Sequence, residues 1–157
     1  MPDWPVRIFS QNTPFRCWEA CARMMWHYRY FGDDSRYAAA AGGYTALDRG
    51  LYPNEMNAFY RGLIGLDGMI RPTGDDLRRR LDRGPVIFFS VNAAAGHAMV
   101  AAGYSRNHYT VANPYQSGEM TFDDDGGLNA FNARGRLVFR SRQETDRHLG
   151  EYIWYWA

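Results

Sequence analysis

The feature that most constrains the fold of this chain is a change of hydrophobic pattern at Gly84-Pro85. Before this point the apolar residues recur at helical spacing, and after it they form short runs typical of strands. Helices followed by an antiparallel sheet predict an α+β domain. We therefore expect a single domain over residues 1–157, with a mainly helical half at 1–84 and a mainly β half at 85–157.

Four stretches of the first half predict helices, because each combines apolar residues at helical spacing with nearby start or stop signals. They are "CWEACARMMWHYRYFG", "SRYAAAA", "NEMNAFYRGLIG" and "TGDDLRRRLDRGP". In the last of them Thr73 is a candidate N-cap, and Leu77 and Leu81 lie on the inward face.

The second half predicts strands. The candidates are "VIFFSV", "HAMVAAGY", "HYTVANPY", "MTF", "GRLVFRS" and "EYIWYWA". The second and third of these runs are separated only by "SRN", which predicts a β-hairpin. A chain of 157 residues is long enough to bury a substantial core between these strands and the preceding helices.

Composition excludes several classes of function. The net charge is +1, so no bulk attraction to nucleic acid is expected. All 18 basic residues are arginine, which excludes mechanisms that require a lysine. Neither a signal peptide nor an apolar run of about 18 residues is present, so we expect no membrane partner and a chain that is cytoplasmic as made.

Two cysteines, Cys17 and Cys21, are too few for a disulfide framework and are poorly aimed at each other on one helix. The four histidines are scattered without the paired spacing of zinc ligands. We therefore expect no metal and no cofactor, and we expect Cys21 to lie in the core.

Cys17 is a candidate nucleophile because it stands where the first long helix begins. The positive end of the helix dipole favours a thiolate there. His97 opens the first strand of the predicted hairpin and Asn113 closes the second, so the hairpin brings these two residues together. An amide oxygen that accepts a ring N–H would fix the imidazole tautomer and aim the other nitrogen at Cys17. Nucleophile, base and orienting residue would then be complete.

Gln11 is a candidate for the oxyanion hole. Attack on a carbonyl creates an oxyanion, which needs hydrogen-bond donors arranged in advance. The side-chain amide of Gln11, six residues ahead of Cys17, and the backbone N–H of Cys17 would supply two such donors.

These residues carry a family resemblance. "Q-x5-C-W" at a helix start, followed by "GPVIFFSV", "GHAMVAAGY" and "YTVANPY", resembles the papain-like cysteine peptidases. The chain is most similar to their small bacterial branches, which process bacteriocin leaders or act as secreted effectors. The resemblance covers about residues 8–120 and implies a helical half packed on an antiparallel barrel-like half, with the active site in the cleft between them.

The resemblance also implies an activity. We expect hydrolysis of peptide bonds in a protein or peptide substrate through a thioester, without a cofactor, by a catalytic set of Cys17, His97, Asn113 and Gln11. A bacterial effector or toxin domain is expected, delivered by a specialised secretion system into a target cell and opposed by an immunity protein or inhibitor.

The sequence departs from the family pattern in places. Phe15 and Arg16 replace small residues before the cysteine, Glu19 places a charge two residues after it, and Tyr115 stands where tryptophan is frequent. Three other functions stay open for the same residues. They are glutamine deamidation or transglutamination, amide or isopeptide hydrolysis, and peptide binding without catalysis.

Overall fold

The sheet determines how the rest of the molecule is arranged. The computed structural model describes residues 3–9, 11, 13, 15–31, 34–91, 96–114, 137–141, 146 and 152–157. Within these residues six strands form one sheet. The strands are β1 (Asp67–Ile70), β2 (Val86–Val91), β3 (Gly96–Tyr104), β4 (His108–Ala112), β5 (Leu137–Ser141) and β6 (Tyr152–Tyr155). Their order is β1-β6-β2-β3-β4-β5, and every neighbouring pair is antiparallel.

The β3–β4 hairpin carries the residues closest to the chemistry. Its turn is closed by Ser105, whose backbone N–H donates to the carbonyl of His108 at 2.8 Å. The register shifts between Ala101 and Gly103, which marks a bulge in β3. As predicted from "SRN", the turn is short enough to bring the first residue of β3 near the end of β4.

The described helices are α1 (Cys17–Tyr30), α2 (Asp34–Ala41), α3 (Pro53–Ile64) and α4 (Gly74–Leu81), and a 3-10 turn at Gly42–Ala46 follows α2. In α4 the hydroxyl of Thr73 accepts from the N–H of Asp76 at 3.2 Å, and the Asp76 carboxylate accepts from the N–H of Thr73 at 2.9 Å. This reciprocal cap confirms the predicted start of the helix. Leu77 and Leu81 are fully buried, also as predicted.

Buried apolar side chains of the described residues form two clusters, one on each face of the sheet. The larger cluster joins α1 and α3 to residues such as Ile87, Ala98, Val100 and Trp154. The smaller one joins α4 to the alternate residues of the same strands, among them Phe88. Because successive side chains of a strand point to opposite faces, α1 and α4 pack on opposite sides of the sheet. The face covered by α1 is the one that concerns the site.

The α+β expectation is confirmed, with two differences of detail. Strand β1 was not predicted, because Asp67–Ile70 is short and its sequence, DGMI, does not alternate between apolar and polar residues. The predicted strand "MTF" and the helix stop at 32–33 lie outside the described residues. Among the residues that the structure describes, no helix is both long and apolar enough to cross a membrane.

Candidate active site

The thiol of Cys17 lies against the first residues of β3. Cys17 is the first residue of α1 and is half-buried. Its Sγ accepts a hydrogen bond from the backbone N–H of Ala98 at 3.4 Å. The contact joins residues that are 81 positions apart, and it exists because α1 packs across β3 on the larger apolar cluster.

His97 and Asn113 meet at the neighbouring ends of β3 and β4. The imidazole Nε2 of His97 lies 2.7 Å from Oδ1 of Asn113, and each residue is only 1% exposed. An amide oxygen can only accept, so Nε2 carries the hydrogen and Nδ1 is the basic nitrogen of the neutral ring. The next residue of β3, Ala98, donates its N–H to the thiol of Cys17. The structure therefore brings His97 and Asn113 into contact and places the thiol against the residue that follows His97.

Gln11 is fastened to the same end of the hairpin. Its backbone N–H donates to the carbonyl of Pro114 at 2.7 Å, one residue after Asn113. Its side chain is 1% exposed, and Nε2 donates to the carbonyl of Thr13 at 2.8 Å. That bond uses one of the two amide hydrogens. Oε1 has no hydrogen-bond partner within the described part of the chain, an exceptional state for a buried oxygen.

Burial dominates the electrostatics of Cys17. It raises the pKa of the thiol to about 11, and backbone N–H donors, including those of Ala98 and Trp18, lower the pKa only in part. The helix start was expected to lower this pKa, but the loss of hydration outweighs the contribution of the backbone dipoles. Burial also raises the pKa of Cys21, which lies in the core as predicted. An isolated Cys17 thiol would stay protonated at neutral pH, so it needs an adjacent proton acceptor.

Trp18 holds the segment ahead of Cys17 in place. Its indole Nε1 donates to the carbonyls of Phe15 at 3.0 Å and Arg49 at 2.9 Å. Tyr60 of α3, which is fully buried, donates its hydroxyl hydrogen to the carbonyl of Trp18 at 2.9 Å. The residue after the thiol therefore ties three parts of the chain together, a positioning role that its expected place in the core did not suggest.

A charged cluster on α1 was not foreseen. Glu19 is buried, and its Oε1 lies 3.0 Å from Nε of Arg23 and 3.4 Å from an Nη of Arg16. Tyr37 of α2 packs over Arg23, and its hydroxyl lies 3.5 Å from the carbonyl of Glu19. The i,i+3 and i,i+4 spacing of the three charged residues was a readable signal for these pairs.

The other histidines and Tyr115, which the sequence analysis considered, lie away from this site or outside the described residues. His27 packs on Phe9 and His108 is exposed at the start of β4, whereas Tyr115 and His148 are not among the described residues. Within the described ranges, no three residues of the His, Cys, Asp and Glu types are grouped so that they could hold a metal ion.

Comparison with protein families gives one match. The model of a family described as papain-like cysteine protease AvrRpt2 matches residues 2–135. No curated protein sequence matches the chain.

Several solved structures share the fold. A double glycine motif protease from an AMS/PCAT transporter, solved with its leader peptide, superposes with a TM-score of 0.63 at 16% identity, covering 98% of this chain and 92% of the other. The peptidase domain of Streptococcus ComA gives 0.63 at 12% identity, with 96% of both chains covered. A putative C39-like peptidase from Bacillus anthracis gives 0.62 at 13% identity, with 98% and 95% covered. At such identities the likeness establishes the fold.

Proposed function

Because this chain belongs to the AvrRpt2 family of papain-like cysteine proteases and is therefore a cysteine peptidase, we propose that Cys17, His97, Asn113 and Gln11 carry out its peptide hydrolysis. Two observations support the assignment: the 2.7 Å contact between His97 Nε2 and Asn113 Oδ1, and the hydrogen bond from the N–H of the next residue, Ala98, to the thiol of Cys17.

Cys17 acts first as the nucleophile. Nδ1 of His97 accepts the thiol proton, and the thiolate attacks the carbonyl carbon of the scissile peptide bond. Asn113 holds the imidazole in the required tautomer and stabilises the imidazolium that forms. This transfer matters more here than for an exposed cysteine, because burial alone would keep the thiol protonated at neutral pH.

The tetrahedral intermediate places a negative charge on the former carbonyl oxygen. The second side-chain hydrogen of Gln11 and the backbone N–H of Cys17 donate to that oxygen. Collapse of the intermediate breaks the C–N bond, and the imidazolium of His97 gives its proton to the leaving amine. Water, deprotonated by His97, then hydrolyses the thioester and restores the thiol.

A peptide library provides the test. Peptides derived from a bacterial proteome would be incubated with the wild-type protein, with Cys17→Ala and with Cys21→Ala, and new peptide termini identified by mass spectrometry. Cys21→Ala is the matched control, because it removes a buried thiol of the same helix. New termini are expected with the wild type and with Cys21→Ala and not with Cys17→Ala. Mass gains of about one dalton without new termini would instead indicate deamidation.

The biological setting is a further part of the proposal. The resemblance to secreted-effector branches supports an effector or toxin that is delivered into a target cell and neutralised by an immunity protein. The complex of the AMS/PCAT transporter protease with its leader peptide supports an extended peptide as substrate. Expression should slow the growth of a host cell, and Cys17→Ala should relieve the effect. Equal growth with both versions would contradict the toxin proposal.

A further inference from the structure

Arg16, immediately ahead of Cys17, has a guanidinium group whose N–H donors are not all used in hydrogen bonds with the described residues. Its side chain is only 12% exposed, yet the ion pair that it forms with Glu19 spans 3.4 Å. The guanidinium carbon lies 6.0 Å from the ring centre of Trp18. The Nε atom is buried and has no hydrogen-bond partner among the described residues. Arginine has five N–H donors, and a buried donor without a hydrogen-bond partner destabilises the folded chain.

The ion pair with Glu19 does not satisfy the hydrogen-bonding capacity of Arg16. Its Oε1 already accepts a hydrogen bond from Nε of Arg23 at 3.0 Å, the shorter of its two ion pairs. The carboxylate is 4% exposed, and two arginines share its single negative charge. The trio therefore keeps one positive charge in excess. Since Arg16 has the looser contact, its guanidinium keeps hydrogen-bonding capacity for another anion next to Cys17.

The segment that carries Arg16 is held in place rather than loose. The carbonyl of Phe15 is bonded by the Trp18 indole, and the ring of Phe15 stays 59% exposed. An exposed aromatic ring and a guanidinium with spare donors thus stand two residues and one residue ahead of the nucleophile, respectively. Such a pair suits a peptide segment with an apolar and an acidic side chain.

We propose that Arg16 determines specificity by binding an acidic side chain of the substrate beside the scissile bond. A guanidinium presents two parallel N–H groups to a carboxylate, a geometry that ammonium groups cannot match. Glu19 acts as a positioning residue, since its contact holds the guanidinium at the start of α1. The inference rests on the proposed function, because it takes Cys17 as the reacting atom.

Matched electrophiles test the inference without knowledge of the substrate. N-iodoacetyl-glycine and N-iodoacetyl-4-aminobutyrate each carry a carboxylate, at two distances from the reactive carbon, and each is compared with its neutral amide. The Cys17 thiolate displaces iodide from all four reagents and forms a C–S bond. Rates of Cys17 labelling would be measured at pH 7.5 by intact mass. The anion-to-amide ratio cancels the thiolate fraction, which is common to both reagents.

The wild-type ratio for at least one pair should exceed that of a small-molecule thiol by about five-fold, the scale of a partly exposed charged hydrogen bond. Arg16→Gln should abolish the excess, and Arg16→Lys, which keeps the charge without the fork, should retain only part of it. Arg79→Gln is the control, because Arg79 is an arginine with a loose ion pair, 3.8 Å to Asp76, on α4 at the opposite side of the sheet from α1. It should leave the ratio unchanged.

Two results would overturn the inference: equal ratios in the wild type and Arg16→Gln, or an equal loss in Arg79→Gln. Circular dichroism verifies folding, and if Arg16→Gln does not fold, Arg16→Lys and Arg79→Lys carry the same comparison. Failure of the proposed function would look different. In that case the neutral amides would label Cys17 no faster in the wild type than in His97→Ala, whatever the charge preference.

Discussion

Replacement of His97 by alanine should reveal how much burial lowers the reactivity of the Cys17 thiol. Burial raises the pKa of this thiol to about 11 from an ordinary value of 9.0. At neutral pH that difference lowers the thiolate fraction about 100-fold, equivalent to about 2.7 kcal/mol. In the proposed mechanism His97 accepts the proton and offsets this penalty, and His97→Ala removes that acceptor.

The size of the effect follows from two opposing terms. A thiolate of higher pKa is intrinsically more nucleophilic, with a Brønsted coefficient of about 0.4–0.5, which returns about six- to ten-fold of the lost rate. His97→Ala should therefore react with iodoacetamide at pH 7 about 10- to 16-fold more slowly than an exposed peptide thiol. Restricted access to the half-buried sulfur lowers the rate further. The wild type should react faster than the exposed thiol.

The assay is the rate of alkylation at Cys17, followed by intact mass from pH 5 to pH 10, with Cys21→Ala as the background. In the wild type, labelling should persist well below pH 8. In His97→Ala the rate should still be rising tenfold per pH unit at pH 9–10, because the thiol has not yet reached its pKa. If the two profiles coincide, His97 does not activate Cys17 and the assignment of the base is wrong.

Four further outcomes are expected. Asn113→Ala should lower kcat about 10- to 100-fold in a peptide-cleavage assay with little change in KM, whereas Asn113→Asp, which keeps an acceptor oxygen, should lose less. Gly96→Ala should destabilise the protein by about 1–3 kcal/mol in urea unfolding, because the new methyl group would overlap the Phe89 ring, and Phe89→Ala in the same chain should recover part of the loss. Trp18→Phe should cost about 1–3 kcal/mol, because two carbonyls lose their donor, and a calorimetric Tm that does not change would contradict this. The unfolding free energy should fall as pH rises above 9, because the folded state keeps the buried Cys21 thiol protonated whereas the unfolded chain ionises it, and Cys21→Ala should flatten that slope.

The sequence was most informative where local rules act alone. Thr73 and Asp76 form a reciprocal cap that depends on four consecutive residues, so the start of α4 could be predicted. The meeting of His97 and Asn113 was predictable for a related reason. A short turn fixes the register of a hairpin, and that register decides which residues of β3 and β4 end side by side.

The packing between distant parts of the chain could not be predicted from the sequence. Tyr152–Tyr155 reads as a strand, but nothing local places it between β1 and β2, or tells that Asp67–Ile70 will pair with it. The pKa of Cys17 was expected to fall because the helix start is visible in the sequence, whereas the burial that raises it arises from α1 packing on β3. Arg16 was noted as a departure from the family pattern, but its loose ion pair is visible only in the structure.

In the proposed mechanism, the packing that buries the Cys17 thiol is also the packing that supplies its base. The bond from Ala98 to Sγ forms only when α1 lies on β3, and His97 precedes Ala98 on the same strand. Burial alone raises the pKa of the thiol and suppresses the thiolate, and the proposed transfer of the proton to the imidazole would restore it. A thiol of raised pKa is also less prone to oxidation or stray alkylation. Under the proposed mechanism, burial therefore confines the reactivity of this cysteine to the state in which His97 is aligned, and the raised pKa is compatible with a nucleophilic role.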